Sequence, residues 1–227
     1  MLKKWDDLPA SMKVPEVKAY YDILAKKSAS LICKRIFDIV IALIMLVMLA
    51  IPMCIIALVI AIDSPGGVFY RQERVTTYGK VFRIHKFRTM VANADMIGSA
   101  VTMRHDSRVT KIGGFLRKYR LDELPQLIDV LQNNMSFVGT RPEAIKYVNQ
   151  YTNEMKATLL LPAGITSEAS IMYKDEAELL NDAENVDEVY VKEVLPEKMK
   201  YNLESLQNYS FINDILIMIK TVLVVVR

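Results

Sequence analysis

The sequence is poor in the residues that build common ligand and redox sites. Among its 227 residues only two are cysteines, Cys33 and Cys54, and two are histidines, His85 and His105. The cysteines lie in or beside one apolar stretch without metal or redox spacing, so they read as packing residues, and nothing points to an oxidising compartment. The histidines have no third partner at ligand spacing, and neither is assigned a role. There is no Walker pattern and no GxGxxG, so the common nucleotide cradles are absent. The net charge of +3 is small and no basic run is interleaved with aromatics, which argues against nucleic acid as a partner. Residues 1–10 carry Lys, Trp and Asp where a signal peptide needs an uninterrupted apolar region. No internal repeat or low-complexity tract occurs.

What the chain does have is one long apolar run, residues 36–62, interrupted only by Asp38. As a helix its roughly 27 residues reach about 40 Å, enough for a hydrocarbon core of about 30 Å. Two features argue against a simple crossing. Both flanks are basic, with Lys34 and Arg35 before and Arg71, Arg74, Lys80 and Arg83 after, which puts both ends on the cytoplasmic side. Pro52 lies near the middle, where it removes a helical hydrogen bond and clashes with the preceding turn. A re-entrant helix that enters, bends near Ile51 and Pro52 and returns to the same face satisfies both. Asp38 is costly in such a run unless paired, and Lys34 or Arg35 one turn earlier can reach it.

Around this landmark the chain divides into residues 1–30, an amphipathic helical extension; 31–63, the membrane helix; 64–210, a cytoplasmic domain; and 211–227, an interfacial or docked helix. The extension carries Val17, Tyr20, Tyr21 and Leu24 on one stripe, which suits either a membrane surface or the face of the domain. After the turn signal Ser64-Pro65-Gly66-Gly67 come two short strands of a hairpin, 68–70 and 81–87. Residues 93–111 are a polar, mobile connection into a short helix, and 168–210 are helical and acidic, with their carboxylates on solvated faces. In the last segment Asp214 and Lys220 mark one polar side.

The chemistry concentrates in Leu121-Asp122-Glu123-Leu124-Pro125-Gln126-Leu127. Leu121, Leu124, Leu127, Ile128 and Leu131 recur at three- and four-residue spacing, and Pro125 fits only an early helical turn, which predicts the carboxylate pair at a helix N-terminus. There the dipole favours negative charge and holds the Asp122 pKa low. Alone the pair reads as a capping acid with a solvated neighbour. With Arg117, Lys118 and Arg120 upstream and Arg141 downstream, it suits an anionic substrate.

Four ordered motifs then carry a resemblance: Lys34-Arg35-Ile36-Phe37-Asp38 before the apolar run, Lys86-Phe87-Arg88-Thr89-Met90, the Asp-Glu motif above, and Met135-Ser136-Phe137-Val138-Gly139-Thr140-Arg141-Pro142. Over about residues 33–167 the chain resembles the bacterial sugar transferases known as small monotopic phosphoglycosyl transferases. The resemblance implies a mainly helical α+β fold, monotopic in the bacterial inner membrane and facing the cytoplasm. It implies transfer of a sugar phosphate from a UDP-sugar to undecaprenyl phosphate, with release of UMP, Mg²⁺ and a covalent phosphosugar aspartate, at the start of surface glycan synthesis. Asp122 is then the nucleophile and Glu123 its dyad partner, a candidate Mg²⁺ ligand or proton acceptor, with Asp122 a candidate Mg²⁺ ligand as well. Lys86, Arg88, Arg117, Arg141 and Pro142 are candidate substrate contacts, with lipid headgroups the alternative for Lys86 and Arg88. Membrane lipids and a second copy of the chain are further candidate partners. The competing expectation is a non-catalytic membrane scaffold recruiting glycan-assembly enzymes. The chain departs from the family pattern at Thr140 and over residues 162–170, where an Arg, a Trp and a Gln are replaced, and this leaves the donor sugar open.

Overall fold

The computed structural model describes residues 2–94, 106–174, 176 and 185–226. His105, much of the expected connection over 93–111, and Asp175, Glu178, Asp182 and Glu184 lie outside them.

The chain is mainly helical with a small β component. Helix α1, Pro15–Ala25, starts at a proline whose missing N–H leaves no bond broken. Its Val17, Tyr20 and Leu24 are buried with Ala157, Leu160, Leu206 and Tyr209, so the N-terminal extension packs on the domain. Helix α2, Ser28–Asp63, is 36 residues long and contains Pro52 without being interrupted there. Of the kink or break expected at Pro52, a break is not seen: removing one backbone bond does not end a helix that continues for three turns beyond. One stripe of α2, Leu31, Lys34, Asp38, Ala42 and, farther on, Ile60, is buried against the domain, while Val47, Met48, Ile51 and Ile62 are exposed. Helix α2 is long and apolar enough to cross a membrane by length and composition.

Both ends of α2 are tied to the same domain. At the first, Lys34 donates to Asp214 Oδ2 at 2.7 Å and Arg35 donates to the carbonyls of Val130 and Leu131 at 2.8 and 3.3 Å. Asp38 accepts from Ser136 Oγ at 2.7 Å and from Phe137 N at 3.3 Å. The partner expected one turn earlier is thus replaced by a strand and a hydroxyl from far along the chain. At the second end Arg88 donates to the carbonyls of Ser64 and Pro65 at 2.6 and 2.9 Å. Gly66, at φ +124°, lies beside that guanidinium, and a Cβ there would meet Arg88 Nη1 at 2.1 Å. Cys33 and Cys54 are exposed on α2, not packed as expected, because the apolar helix turns more surface outward than the domain covers.

Strands β1, Phe69–Val75, and β2, Val81–Phe87, form the expected hairpin, with Phe69 opposite Phe87 and Val75 opposite Val81, though β1 runs five residues past the expected end at 70 because pairing with β2 carries it through the polar residues 71–74. Helix α3, Lys111–Lys118, is capped by Thr110, whose side chain accepts from Gly113 N. A 3-10 turn, Leu121–Glu123, leads to α4, Gln126–Leu131. Strands β3, Met135–Val138, and β4, Ala163–Thr166, pair in parallel and make a second sheet that alternation did not reveal, since all four β3 positions are buried. Short helices α5, Ile145–Val148, and α6, Glu168–Met172, flank β4. Helix α7, Val186–Val189, runs through a π turn at Tyr190–Val194 into α8, Leu195–Gln207, and α9, Phe211–Val226, closes the chain. A core of Phe82, Ile84, Leu127, Val130, Met135 and Phe137 joins both sheets and α4 to Ala42 of α2 and Ile217 of α9. Asp214 of α9 faces inward to Lys34 and Lys220 meets Glu168, while Ile212, Leu216 and Val222 stay exposed.

Candidate active site

The Asp-Glu pair does not open the α-helix. It occupies the 3-10 turn ahead of it, because Arg120 adopts a left-handed conformation, φ 56°, that ends the α3 segment and swings the next residues inward. A non-glycine residue held there is uncommon and costs about 1–3 kcal/mol, a strain that concentrates at functional sites. Asp122 and Glu123 are both buried as a result.

Their environments differ sharply. Glu123 Oε1 accepts from Lys86 Nζ and from Arg141 Nη2, each at 2.7 Å. Burial alone would raise its pKa, but the Arg141 and Lys86 charges outweigh burial and hold the carboxyl well below the usual range. Asp122 Oδ1 is buried and has no hydrogen-bond partner among the described residues. Burial pushes the Asp122 carboxyl up against the pull of Lys86, and the neighbouring Glu123 charge pushes the same way. The low pKa expected for Asp122 from a helix dipole is thus overturned: α4 has only six residues and begins four residues later, at Gln126, so desolvation dominates.

Lys86 and Arg141 reach the dyad, coming from β2 and from the turn after β3. Arg117 donates from Nε to Thr89 Oγ1 at 2.8 Å and lines the same cavity, as does Pro142. Arg88 also lines it, but the bonds it makes hold the end of α2. His85, given no role from sequence, bonds Asp129 through both its backbone N–H and Nδ1 at 2.8 Å, tying β2 to α4 behind the dyad. Of the acidic 168–210 stretch, Glu176 and Asp187 are not simply solvated: Glu176 accepts from the buried Lys198, and Asp187 from Lys146 and Tyr147.

The cavity holds about 1320 Å³. Its charged side carries Lys86, Arg117, Arg120, Asp122, Glu123 and Arg141, and another side is apolar, with Met45 of α2 and Met218 and Val222 of α9. Residues Ile165, Thr166 and Ser170, from the stretch where the chain departs from the family pattern, line it as well. Sequence reasoning missed Glu143, Tyr190 and Lys198, which are buried on the cavity wall and come from segments too far apart to form a motif.

Fold and site define a helical α+β protein with a carboxylate pair set among cations beside a long apolar helix. The chain belongs to the bacterial sugar transferase family, whose profile matches residues 29–227. It is 36% identical over 214 residues to the UDP-glucose:undecaprenyl-phosphate glucose-1-phosphate transferase of Escherichia coli (strain K12), covering 92% of this chain and 43% of that protein. It is 32% identical over 192 residues to the UDP-N-acetylgalactosamine-undecaprenyl-phosphate N-acetylgalactosaminephosphotransferase of Aeromonas hydrophila, covering 83% of this chain and 42% of that one. With the undecaprenyl-phosphate galactose phosphotransferase of Salmonella typhimurium the identity is 32% over 219 residues, 90% of this chain and 42% of the other. The chain therefore spans less than half the length of these three relatives.

Proposed function

We propose that the chain transfers a sugar phosphate from a UDP-sugar to undecaprenyl phosphate, releasing UMP, through a covalent phosphosugar on Asp122. The observation that carries this reading is one cavity in which a buried carboxylate oxygen without a partner among the described residues, a set of cations and apolar side chains from α2 and α9 meet. The cations suit a diphosphate, and the apolar side suits a polyprenyl chain arriving from the bilayer. A carboxylate oxygen of Asp122 attacks the phosphorus that bears the sugar, the bond from that phosphorus to the bridging oxygen breaks, and UMP leaves with the electron pair. A phosphate oxygen of the lipid then attacks the same phosphorus, and the bond to Asp122 breaks to restore the carboxylate. Lys86 and Arg141 hold Glu123 ionised beside the nucleophile and offer charge to the transferring phosphoryl group.

The residues fit a magnesium ion. Mg²⁺ is usually held by one or two carboxylates with substrate phosphate and water, and Asp122 Oδ1 is a buried carboxylate oxygen in want of a partner. Among the described residues no cluster of three acidic, His or Cys side chains forms, and an ion bound partly by phosphate needs none. Asp122 and Glu123 would hold it, and it would neutralise charge on the diphosphate.

The proposed location is the cytoplasmic face of the bacterial inner membrane, with both ends of α2 on that face and the exposed side of α9 against the leaflet. The anchoring of both helix ends to one domain supports a monotopic arrangement. Intact-mass spectrometry after incubation with a UDP-sugar, without lipid acceptor, tests the chemistry. The wild type should gain one phosphosugar and Asp122→Asn none; undiminished lipid-linked product from Asp122→Asn would remove the assignment.

A further inference from the structure

The cavity has a second polar patch that the phosphoryl chemistry does not use. Tyr190 OH donates to Glu143 Oε1 at 2.6 Å. Lys198 Nζ donates to Glu176 Oε2 at 2.8 Å, to Tyr190 OH at 3.0 Å and to Glu143 Oε1 at 3.5 Å. Glu143, Tyr190 and Lys198 are buried and the Glu176 side chain is 26% exposed, yet all four line the cavity. Arg74, on the same wall, lies close enough to interact with the Glu143 charge. Two acids, one lysine and one arginine make the patch neutral overall, in contrast to the cations gathered at the dyad.

A neutral patch of fixed acceptors and donors suits a neutral polyhydroxylated group better than a phosphate. A carboxylate accepts through both oxygens, so Glu143 and Glu176 retain capacity for ligand hydroxyls beyond the bonds described. The patch also lies where such a group belongs. Arg141, which grips Glu123, is two residues from Glu143 on one turn. In an in-line displacement the sugar, carried on the phosphorus under attack, projects sideways from the line joining nucleophile and leaving group. The cavity exceeds the roughly 300–1,000 Å³ of an ordinary small-molecule site, which leaves room for such an arm. We propose that Glu143, Glu176, Tyr190 and Lys198 bind the hydroxyl groups of the donor sugar and so select which UDP-sugar is used. This rests on the transferase reading above.

The test uses full-length protein in lipid, with UDP-glucose, UDP-galactose and their N-acetylamino counterparts as donors, and Tyr190→Phe and Glu176→Gln as variants. Glu176→Gln keeps the side-chain shape at a partly exposed position, so it remains informative should the buried Tyr190→Phe fail to fold. UMP release gives kcat/KM for each donor, and calorimetry gives the affinity for UDP alone. The expected result is a fall of about 10- to 100-fold for the preferred donor, an altered order among donors, and UDP affinity within about twofold of wild type. Equal loss for every donor, no loss, or a parallel fall in UDP affinity would overturn the assignment, the last placing the nucleotide there instead. A wild type that releases no UMP from any donor overturns the transferase reading and this one with it. An active wild type whose variants keep the donor order overturns only the sugar patch.

Discussion

The surroundings of two adjacent acids in this chain push their pKa values in opposite directions. Glu123 lies between Lys86 and Arg141, and its folded-state pKa is depressed, so it contributes stability that is present above the ordinary carboxylate value of about 4.3 and lost as pH falls through the depressed value. Asp122 has a raised pKa, so its contribution is present below about 3.9 and lost as pH rises through the raised value. At neutral pH, then, an ionised Asp122 weakens the fold while an ionised Glu123 strengthens it. Urea unfolding in EDTA should show Glu123→Gln losing about 1.5–3 kcal/mol at pH 7, since it leaves two half-buried cations without their shared acceptor, with the deficit shrinking in acid. Asp122→Asn should raise Tm at pH 7 and lose that advantage in acid. The identities of both residues were legible as a motif; their ionisation was not, because it depends on Lys86 and Arg141, which lie 37 and 18 residues away in sequence.

At the scale of elements, the dyad is positioned by pieces whose pairing carries no local signal. The β3 and β4 strands are four residues each, and parallel pairing requires a long crossover between them. Their junction depends on two glycines: a Cβ at Gly164 would lie 2.2 Å from both N and O of Gly139, and one at Gly139 would lie 2.6 Å from Pro162 O. Backbone on both sides cannot step aside as a flexible side chain can. Gly164→Ala should therefore cost about 3 kcal/mol and slow turnover by shifting the turn that carries Arg141. Chemical denaturation and UMP-release kinetics check this, and a variant of native stability would show that the strands can separate freely. The β1–β2 hairpin, by contrast, was visible beforehand, since its antiparallel strands are joined by a short turn with its own residue signature.

For the molecule as a whole the telling feature is α2, about 54 Å long if straight, with both ends fastened to one domain. A helix of that length crossing a bilayer upright would carry one end to the far side, out of reach of a water-exposed domain. Ala29→Cys, in the first turn of the helix, and Gly67→Cys, just beyond its end, both at exposed positions, should resist an impermeant maleimide on intact cells and react after lysis, in a background with Cys33 and Cys54 replaced by Ser. Gly67 accepts the change because a Cβ there meets nothing closer than 3.8 Å. Labelling of either one from outside would show a crossing helix. The basic flanks are the sequence's argument for both ends lying on one side, and Pro52, where a kink or break is expected, lies within one continuous helix.

The amino-acid order alone determined what depends on neighbours along the chain: the long apolar helix, the hairpin, the adjacent carboxylates and the ordered motifs that mark the family. Tertiary structure alone decided what depends on neighbours in space. It set Asp38 on Ser136 instead of Lys34, diverted Arg88 to the end of α2, and gathered Glu143, Glu176, Tyr190 and Lys198 onto one wall. The division follows from range. Helical periodicity and turn chemistry act over a few residues, whereas desolvation and ion pairing act wherever the fold brings charges together.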